Sequence, residues 1–239
     1  MNEDELARLI VEARRSGAAL AEAPPALTLE QGYAVQARVA AALGEAAGWK
    51  VGATNTGGQR FLQVTEPICG RVFAAGVVAS GATAALPGDR VAEAEPEILF
   101  RLARAPDGGP VASVGAVHLG LEVNRPSRDD ALGLGAGFIV ADDAAHAALV
   151  VGPEIPLAAL DRPESVRVRL LLNGEPQQDG DASAVLGHPL EALRWLAAKR
   201  PLRAGDWVAT GAITRACRLA VGDEVTADFG ALGRVSVRR

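Results

Sequence analysis

Two glutamates separated by one residue, Glu95 and Glu97 in Glu-Pro-Glu-Ile-Leu-Phe, precede a third acid, Glu122, in Gly-Leu-Glu-Val. Both segments have strand composition. Alternate strand residues share a face, so Glu95 and Glu97 can aim their carboxylates at one point. Two unit charges about 4 Å apart repel by roughly 4 kcal/mol at an effective dielectric near 20, so such a cluster calls for a cation. Three carboxylates without a histidine form a hard-oxygen set, suited to Mg2+ or Mn2+ rather than zinc. Metal-assisted chemistry is the first expectation. The competing one is a solvated strand face, because Glu93 extends the same alternation and half-exposed sheets carry such rows of acids.

The elements that must position these acids are readable in outline. Leu6, Leu9, Ile10 and Ala13 recur at helical spacing within residues 3–15. A stretch of small residues and prolines, Ala18 to Pro25, interrupts the chain. Thr28-Leu29-Glu30-Gln31 then matches a capping box that opens a second helix through about Leu43. From Trp49 onward, short β-rich runs alternate with Gly, Pro and Asp. Val166-Arg167-Val168-Arg169-Leu170 runs into Asn173-Gly174, a hairpin signal. Pro189 suits the first position of a helix continuing through Leu193, Leu196 and Ala197. Gly205-Asp206, Gly222-Asp223 and Leu232-Gly233, each flanked by Val-rich runs, read as strand–turn–strand. The expectation is an α+β chain: an N-terminal helical segment over residues 1–47, packed on a mixed, mainly antiparallel β domain with inserted helices over 48–239.

Composition narrows the function. In 239 residues, 49% are hydrophobic and 22% charged, enough apolar content for a sizeable core. A net charge of −5 argues against a nucleic-acid partner and does not favour an anionic membrane surface. Cys69 and Cys217 form neither a zinc spacing nor a disulfide framework, and are expected to be reduced, buried thiols of a cytoplasmic protein. The acidic start, Met-Asn-Glu-Asp-Glu-Leu, does not read as a secretory signal. No apolar run approaches the roughly 20 residues of a membrane span.

The order of the motifs adds a resemblance. Gly48-Trp49-Lys50-Val51-Gly52-Ala53-Thr54 is similar to the Gly-x-Lys-[Ile/Val]-Gly-x-Thr segment of the 2-keto-4-pentenoate hydratases. These are grouped with the 4-oxalocrotonate decarboxylases in the fumarylacetoacetate hydrolase superfamily. Glu66-Pro67-Ile68-Cys69-Gly70, Glu95 to Phe100, Leu121-Glu122-Val123 and Ala141-Asp142-Asp143-Ala144 resemble later family segments in the same order. So do Leu186-Gly187-His188-Pro189-Leu190 with Trp195-Leu196-Ala197, and the closing Gly205-Asp206, Thr210-Gly211 and Val221-Gly222-Asp223. The likeness spans roughly residues 28–239. It implies a rolled mixed β-sheet with flanking helices, in dimers or larger assemblies, and Glu95, Glu97 and Glu122 as ligands of Mg2+ or Mn2+. It also implies a hydratase adding water to a 2-oxo-4-enoate of the 2-hydroxypenta-2,4-dienoate type, by way of an enolate whose charge the cation neutralises. The product would be a 4-hydroxy-2-oxo acid. A decarboxylase of the same lineage, and a catalytically weak paralogue serving as a structural partner of such an enzyme, are the alternatives.

Within that resemblance Lys50 is the favoured polar partner: its ammonium could hold a substrate carboxylate, or shuttle a proton if burial lowers its pKa. Asp142 could orient a ligand or water, or simply cap a turn; Thr210 could place a hydroxyl near the substrate, or simply end a strand. Of the histidines, His118 shares the face of Glu122 and reads as buried and structural or as a support behind that ligand, His146 as loop or helix surface, and His188 as a helix entry. No histidine precedes residue 118, which counts against hydrolysis of a carbon–carbon bond. Three positions depart from the family pattern. Ile68 stands where an aspartate is usual, Asp143 where an asparagine is, and Ala145 where a serine is. One residue is also inserted between Glu122 and Ser127-Arg128.

Overall fold

Helix formation at the N-terminus follows from its caps. The Asn2 side chain accepts the Glu5 amide and opens α1 (Glu3–Ser16). Thr28 and Gln31 form both halves of the expected capping box at the head of α2 (Leu29–Leu43). The computed structural model describes residues 1–107 and 109–239. The chain continues through β1 (Ala46–Gly52), α3 (Thr56–Leu62), β2 (Ile68–Phe73), β3 (Val77–Ala79), β4 (Ala92–Leu102), β5 (Val114–Asn124) and α4 (Gly135–Ala141). Next come β6 (His146–Ile155), β7 (Arg167–Leu172), β8 (Glu175–Asp181) and α5 (Pro189–Lys199). The chain closes with β9 (Trp207–Ala209), β10 (Cys217–Leu219), β11 (Glu224–Asp228) and β12 (Arg234–Arg238). The boundary expected at 47/48 falls inside β1.

Seven strands of the larger sheet run in the order β2-β1-β9-β4-β5-β6-β3, with β10 also pairing β4. The smaller sheet runs β12-β11-β7-β8. β1 with β9 and β3 with β6 are parallel; every other pairing between these strands is antiparallel. This is the mixed, mainly antiparallel α+β architecture expected. Both sheets fold over one core, where Ile98, Phe100, Leu119 and Leu121 meet Val168, Leu170, Val225 and Val235. A second apolar cluster joins Leu6, Ile10, Val35 and Val39 of the N-terminal helices to Phe138, Ile139 and Val140 of α4 and to Ile68 of β2. The N-terminal helices are thus anchored on the elements that flank the acids.

The three Gly/Asp turn signals resolve differently. Leu232-Gly233 closes a true hairpin between β11 and β12, and Asn173-Gly174 closes β7 on β8. Gly222-Asp223 instead carries the chain from β10, in the larger sheet, to β11, in the smaller. Gly205-Asp206 links α5 to β9, so it is a helix–turn–strand connection. A turn residue reports a local reversal of the backbone, not which strand lies beside the one that follows.

Pro96 sits inside β4 without breaking it. On one edge β4 pairs β10 through Ala92–Ala94 and β9 through Leu99–Arg101, leaving Glu95–Ile98 without a strand partner there. A proline, which has no amide hydrogen to donate, fits that gap. The loop between β9 and β10 fills it: Thr210 N donates to Ile98 O and Ile213 N to Pro96 O.

Candidate metal centre

Glu95 and Glu122 are direct cross-strand partners on β4 and β5, and Glu97 lies opposite Gly120. Like charges directly opposite each other destabilise a sheet. The acids nevertheless converge: one carboxylate oxygen from each of Glu95, Glu97 and Glu122 lies within 4.8 Å of the others. Burial deepens along the face, from exposed Glu93 through partly buried Glu95 to fully buried Glu97. The solvated-face alternative therefore describes Glu93 alone.

Each acid has one held oxygen. Glu95 Oε2 accepts from Asn124 Nδ2 at 2.8 Å, and Glu97 Oε2 from the Gly211 amide at 2.9 Å. Glu122 Oε1 lies 2.7 Å from His146 Nδ1. Lys50 Nζ stands 3.1 Å from Glu122 Oε2, close enough for charge pairing but off the hydrogen-bonding axis. Glu97 Oε1 and Glu122 Oε2 are buried with no hydrogen-bond partner among the described residues. A bare buried acceptor forfeits on the order of 1–3 kcal/mol. Oxygen donors that converge, are fixed from behind and lack partners in front fit a hard dication.

Electrostatics separate the acids. Burial, then the Glu122 charge, pushes Glu95 up to about 7. The same two causes carry Glu97 well above the carboxylate range. Burial also raises Glu122, but Lys50 and His146 outweigh it and hold this acid below its ordinary value. Burial pulls Lys50 down, yet Glu122, Glu95 and Glu97 together lift it above its usual value. Of the two roles expected of Lys50, this direction favours the cation that holds a carboxylate over the proton shuttle. Burial lowers His146 against the pull of Glu122. Since ionised Glu122 only accepts, the neutral imidazole carries its proton on Nδ1.

Two other expected site residues, Thr210 and Asp142, make contacts that order the chain around the acids. Thr210 is buried and its hydroxyl donates to Ile98 O at 2.9 Å, fixing the turn that presents Gly211 to Glu97. Asp142 Oδ1 accepts Arg14 Nε at 2.8 Å, and Oδ2 accepts the Ser127 amide. Asp142 also opens a turn in which Asp143, Ala144 and Ala145 have φ of 53°, 51° and 64°. Left-handed backbone without glycine costs roughly 1–2 kcal/mol per residue, so outside contacts must hold this turn. Asp143 is buried, accepts the Arg71 amide at 2.8 Å and is pushed by burial up to about 7. Gly70 permits the contact, since a Cβ there would lie 2.3 Å from Asp143 O.

His146 corrects the sequence reading most. It is buried at the start of β6, opposite Asn124, not on a surface. Nothing local in Ala-Ala-His-Ala-Ala marks it; only strand pairing brings it to Glu122. Asn124, in contrast, lies two residues beyond Glu122 on β5, so alternation alone places it on the same face. His118 is partly buried, bonded to Gly152 O at 3.1 Å and edge-on to Trp207, away from the acids. His188 caps α5 by accepting the Leu190 amide, the entry role expected of it.

Glu95, the outermost of the three acids, opens onto a cavity of about 730 Å³ that it lines with Lys50 and Asn124, together with Leu62, Ile68, Ile139 and Ala144. Farther around its wall stand Arg90 and Arg218 with Asp89, Glu93 and Asp129. Arg90 is engaged by Asp129 at 2.7 Å and by Pro126 O. No helix among the described residues is long and apolar enough to cross a membrane.

Comparison with known proteins gives the chain its relatives and a fold match. The chain is 32% identical over 250 residues to the TodF product hydratase of Pseudomonas putida, across 96% of this chain and 92% of that protein. It is 31% identical over 238 residues to the 2-keto-4-pentenoate hydratase of Paraburkholderia phymatum, across 93% and 90%. The 4-oxalocrotonate decarboxylase from Pseudomonas putida G7, complexed with magnesium and adipate, superposes with a TM-score of 0.85, covering 100% of this chain and 98% of that one at 24% identity. Residues 116–238 match the fumarylacetoacetate (FAA) hydrolase C-terminal family model. That stretch contains Glu122, Asn124 and His146, and with the similarity to the hydratases it establishes that the chain belongs to the fumarylacetoacetate hydrolase family.

Proposed function

We propose that this protein is a metal-dependent hydro-lyase that adds water to a 2-oxo-4-enoate of the 2-hydroxypenta-2,4-dienoate type, giving a 4-hydroxy-2-oxo acid. The observation that carries the reading is the convergence of Glu95, Glu97 and Glu122 on one point beside Lys50. The relatives named as hydratases supply the reaction class. Mg2+ or Mn2+ suits the all-oxygen set, and the magnesium complex of the decarboxylase is consistent with that choice. When bound, the cation would orient a 2-oxo acid and draw charge from its C2 oxygen.

The chain's own residues account for the rest. Lys50, held as a cation, attracts the substrate carboxylate. Leu62, Ile68, Ile139 and Ala144 present apolar surface to the hydrocarbon tail and keep bulk water from it. The buried Asn124 Oδ1 has no partner and can accept a hydrogen bond from one water. In the reaction the enol proton leaves the C2 hydroxyl and carbon 5 gains one. The hydroxyl of water then bonds carbon 4 while a proton joins carbon 3. No histidine lines the cavity among the described residues, so proton traffic falls to carboxylates and water.

The outer wall favours a monoacid. Arg90 and Arg218 face Asp89, Glu93 and Asp129, one more acid than base, and Arg90 is already paired. A second carboxylate, as in the 2-oxo-3-hexenedioate used in decarboxylation, would enter a net negative wall. Incubating the metal-loaded protein with 2-hydroxypenta-2,4-dienoate should bleach its ultraviolet absorbance and yield the 4-hydroxy-2-oxo acid. Carbon dioxide from 2-oxo-3-hexenedioate would instead assign the decarboxylase. Silence with both would leave the role of a structural partner subunit. Self-association, or association with a related decarboxylase in the cytoplasm, belongs to the same proposal. Light scattering of the purified protein, alone and with such an enzyme, measures it.

A further inference from the structure

We propose that Arg14, on the N-terminal helix, is a positioning residue for the metal centre: its guanidinium clasps both ends of the left-handed turn between Asp142 and His146, and so sets where the imidazole meets Glu122. The inference rests on reading Glu95, Glu97 and Glu122 as metal ligands.

Arg14 lies in the last turn of α1, nearly buried, with only 11% of its side chain exposed. Its fork makes three bonds. Nε donates to Asp142 Oδ1 at 2.8 Å, Nη2 to Asp142 O, and Nη1 to His146 O at 2.6 Å. Planar, five-donor geometry makes such a span possible, and a lysine, a point charge on a flexible stem, cannot reproduce it. The turn has little of its own to hold its shape: three successive left-handed residues, none a glycine, and two internal bonds, Ala145 N to Asp142 O and His146 N to Asp143 O. The remaining holds each act on a single residue of the turn. Ser127 N donates to Asp142, Arg71 N to Asp143 and Arg125 N to Ala145 O. Arg14 alone among the described side chains hydrogen-bonds both Asp142 and His146. His146 passes the constraint onward, because its Nδ1 contacts Glu122 Oε1 at 2.7 Å and so turns Glu122 Oε2 toward Lys50 and the other acids. Partners that orient a metal ligand from behind tune the affinity of the site.

The readout is Mn2+ affinity, measured by calorimetry on protein shown to be folded by circular dichroism, without any substrate. Arg14→Lys keeps the charge beside Asp142 but loses the span, and should weaken Mn2+ binding roughly ten- to hundredfold. Arg38→Ala removes the ties of α2 to Glu3 and Asp4 at the other end of the same helix, and should leave the affinity unchanged. His146→Gln added to Arg14→Lys should cost much less than His146→Gln alone, since both changes act on one contact. If Arg14→Lys fails to fold, the pair Arg14→Met with Asp142→Asn, which buries no lone charge, carries the same comparison. A folded Arg14 variant with wild-type affinity overturns the assignment. So does an equal loss in Arg38→Ala, or strict additivity with His146→Gln. A wild-type protein that binds no Mn2+ would instead remove the metal centre itself.

Discussion

Glu97 bears the sharpest single-residue test, because one of its oxygens is held by Gly211 and the other is bare. Glu97→Gln should cost at least the roughly hundredfold in metal affinity that marks the upper end for an outer partner, and abolish turnover with it. The fold should survive, because Gln has the shape and neutrality of the protonated Glu97 that burial and Glu122 favour in the metal-free protein. Calorimetric titration with Mn2+ and a thermal melt in chelator check both halves; unchanged turnover would refute the ligand set. At this scale much was legible. Period-two alternation places Glu95 with Glu97, and Glu122 with Asn124. The state of Lys50 was not legible, because its pKa depends on three acids from two other strands. His146 was hidden for the same reason: its partner is 24 residues away on the neighbouring strand.

At the scale of elements, the connection from β9 to β10 matters most. It fills the gap in the β4 edge left beside Pro96 and brings the Gly211 amide to Glu97. Gly211 has φ 115°, and a Cβ there would meet Thr54 Oγ1 at 2.1 Å. Gly211→Ala should therefore destabilise the protein by more than the 1–2 kcal/mol expected of left-handed backbone alone, and weaken metal binding. Gly81→Ala, at φ 85° with no heavy atom within 4 Å of the added Cβ, is the matched control. Chemical denaturation and the Mn2+ titration read the two effects; equal behaviour of the variants would contradict this account. Both N-terminal helices, the Asn173-Gly174 hairpin and α5 were readable, since caps and turn residues act locally. The strand order was not, because Gly-Asp signals at 205 and 222 mark reversals without naming neighbours.

At the scale of the whole molecule, the cluster should make stability depend on pH and metal together. Glu95, Glu97 and Asp143 have raised folded values, so between about 4.5 and 7 the folded state binds more protons than the unfolded one. Stability of the metal-free protein then falls as pH rises through that window. Glu95 alone, at about 7, contributes on the order of 3 kcal/mol to the decline. His146, lowered by burial, opposes it only below the ordinary histidine value. A chelator-treated sample should melt several degrees lower at pH 8 than at pH 5.5, given about 2–4 °C per kcal/mol for a chain of this size. Mg2+ should recover most of the loss, leaving the share of Asp143, which lies outside the triad. A melting point that rises with pH in chelator and ignores Mg2+ would sink the prediction.

The chain's own order of residues determined that this is an α+β protein with acids on two strands and capped helices before them, because capping, alternation and turn chemistry act over a few residues. It also carried enough motif order to place the family. Only tertiary structure decided that three like charges meet, that Lys50 stays charged, and that His146 and Arg14 join them. Those outcomes depend on distances between segments far apart in the chain, and on how burial and neighbouring charges compete within the folded interior.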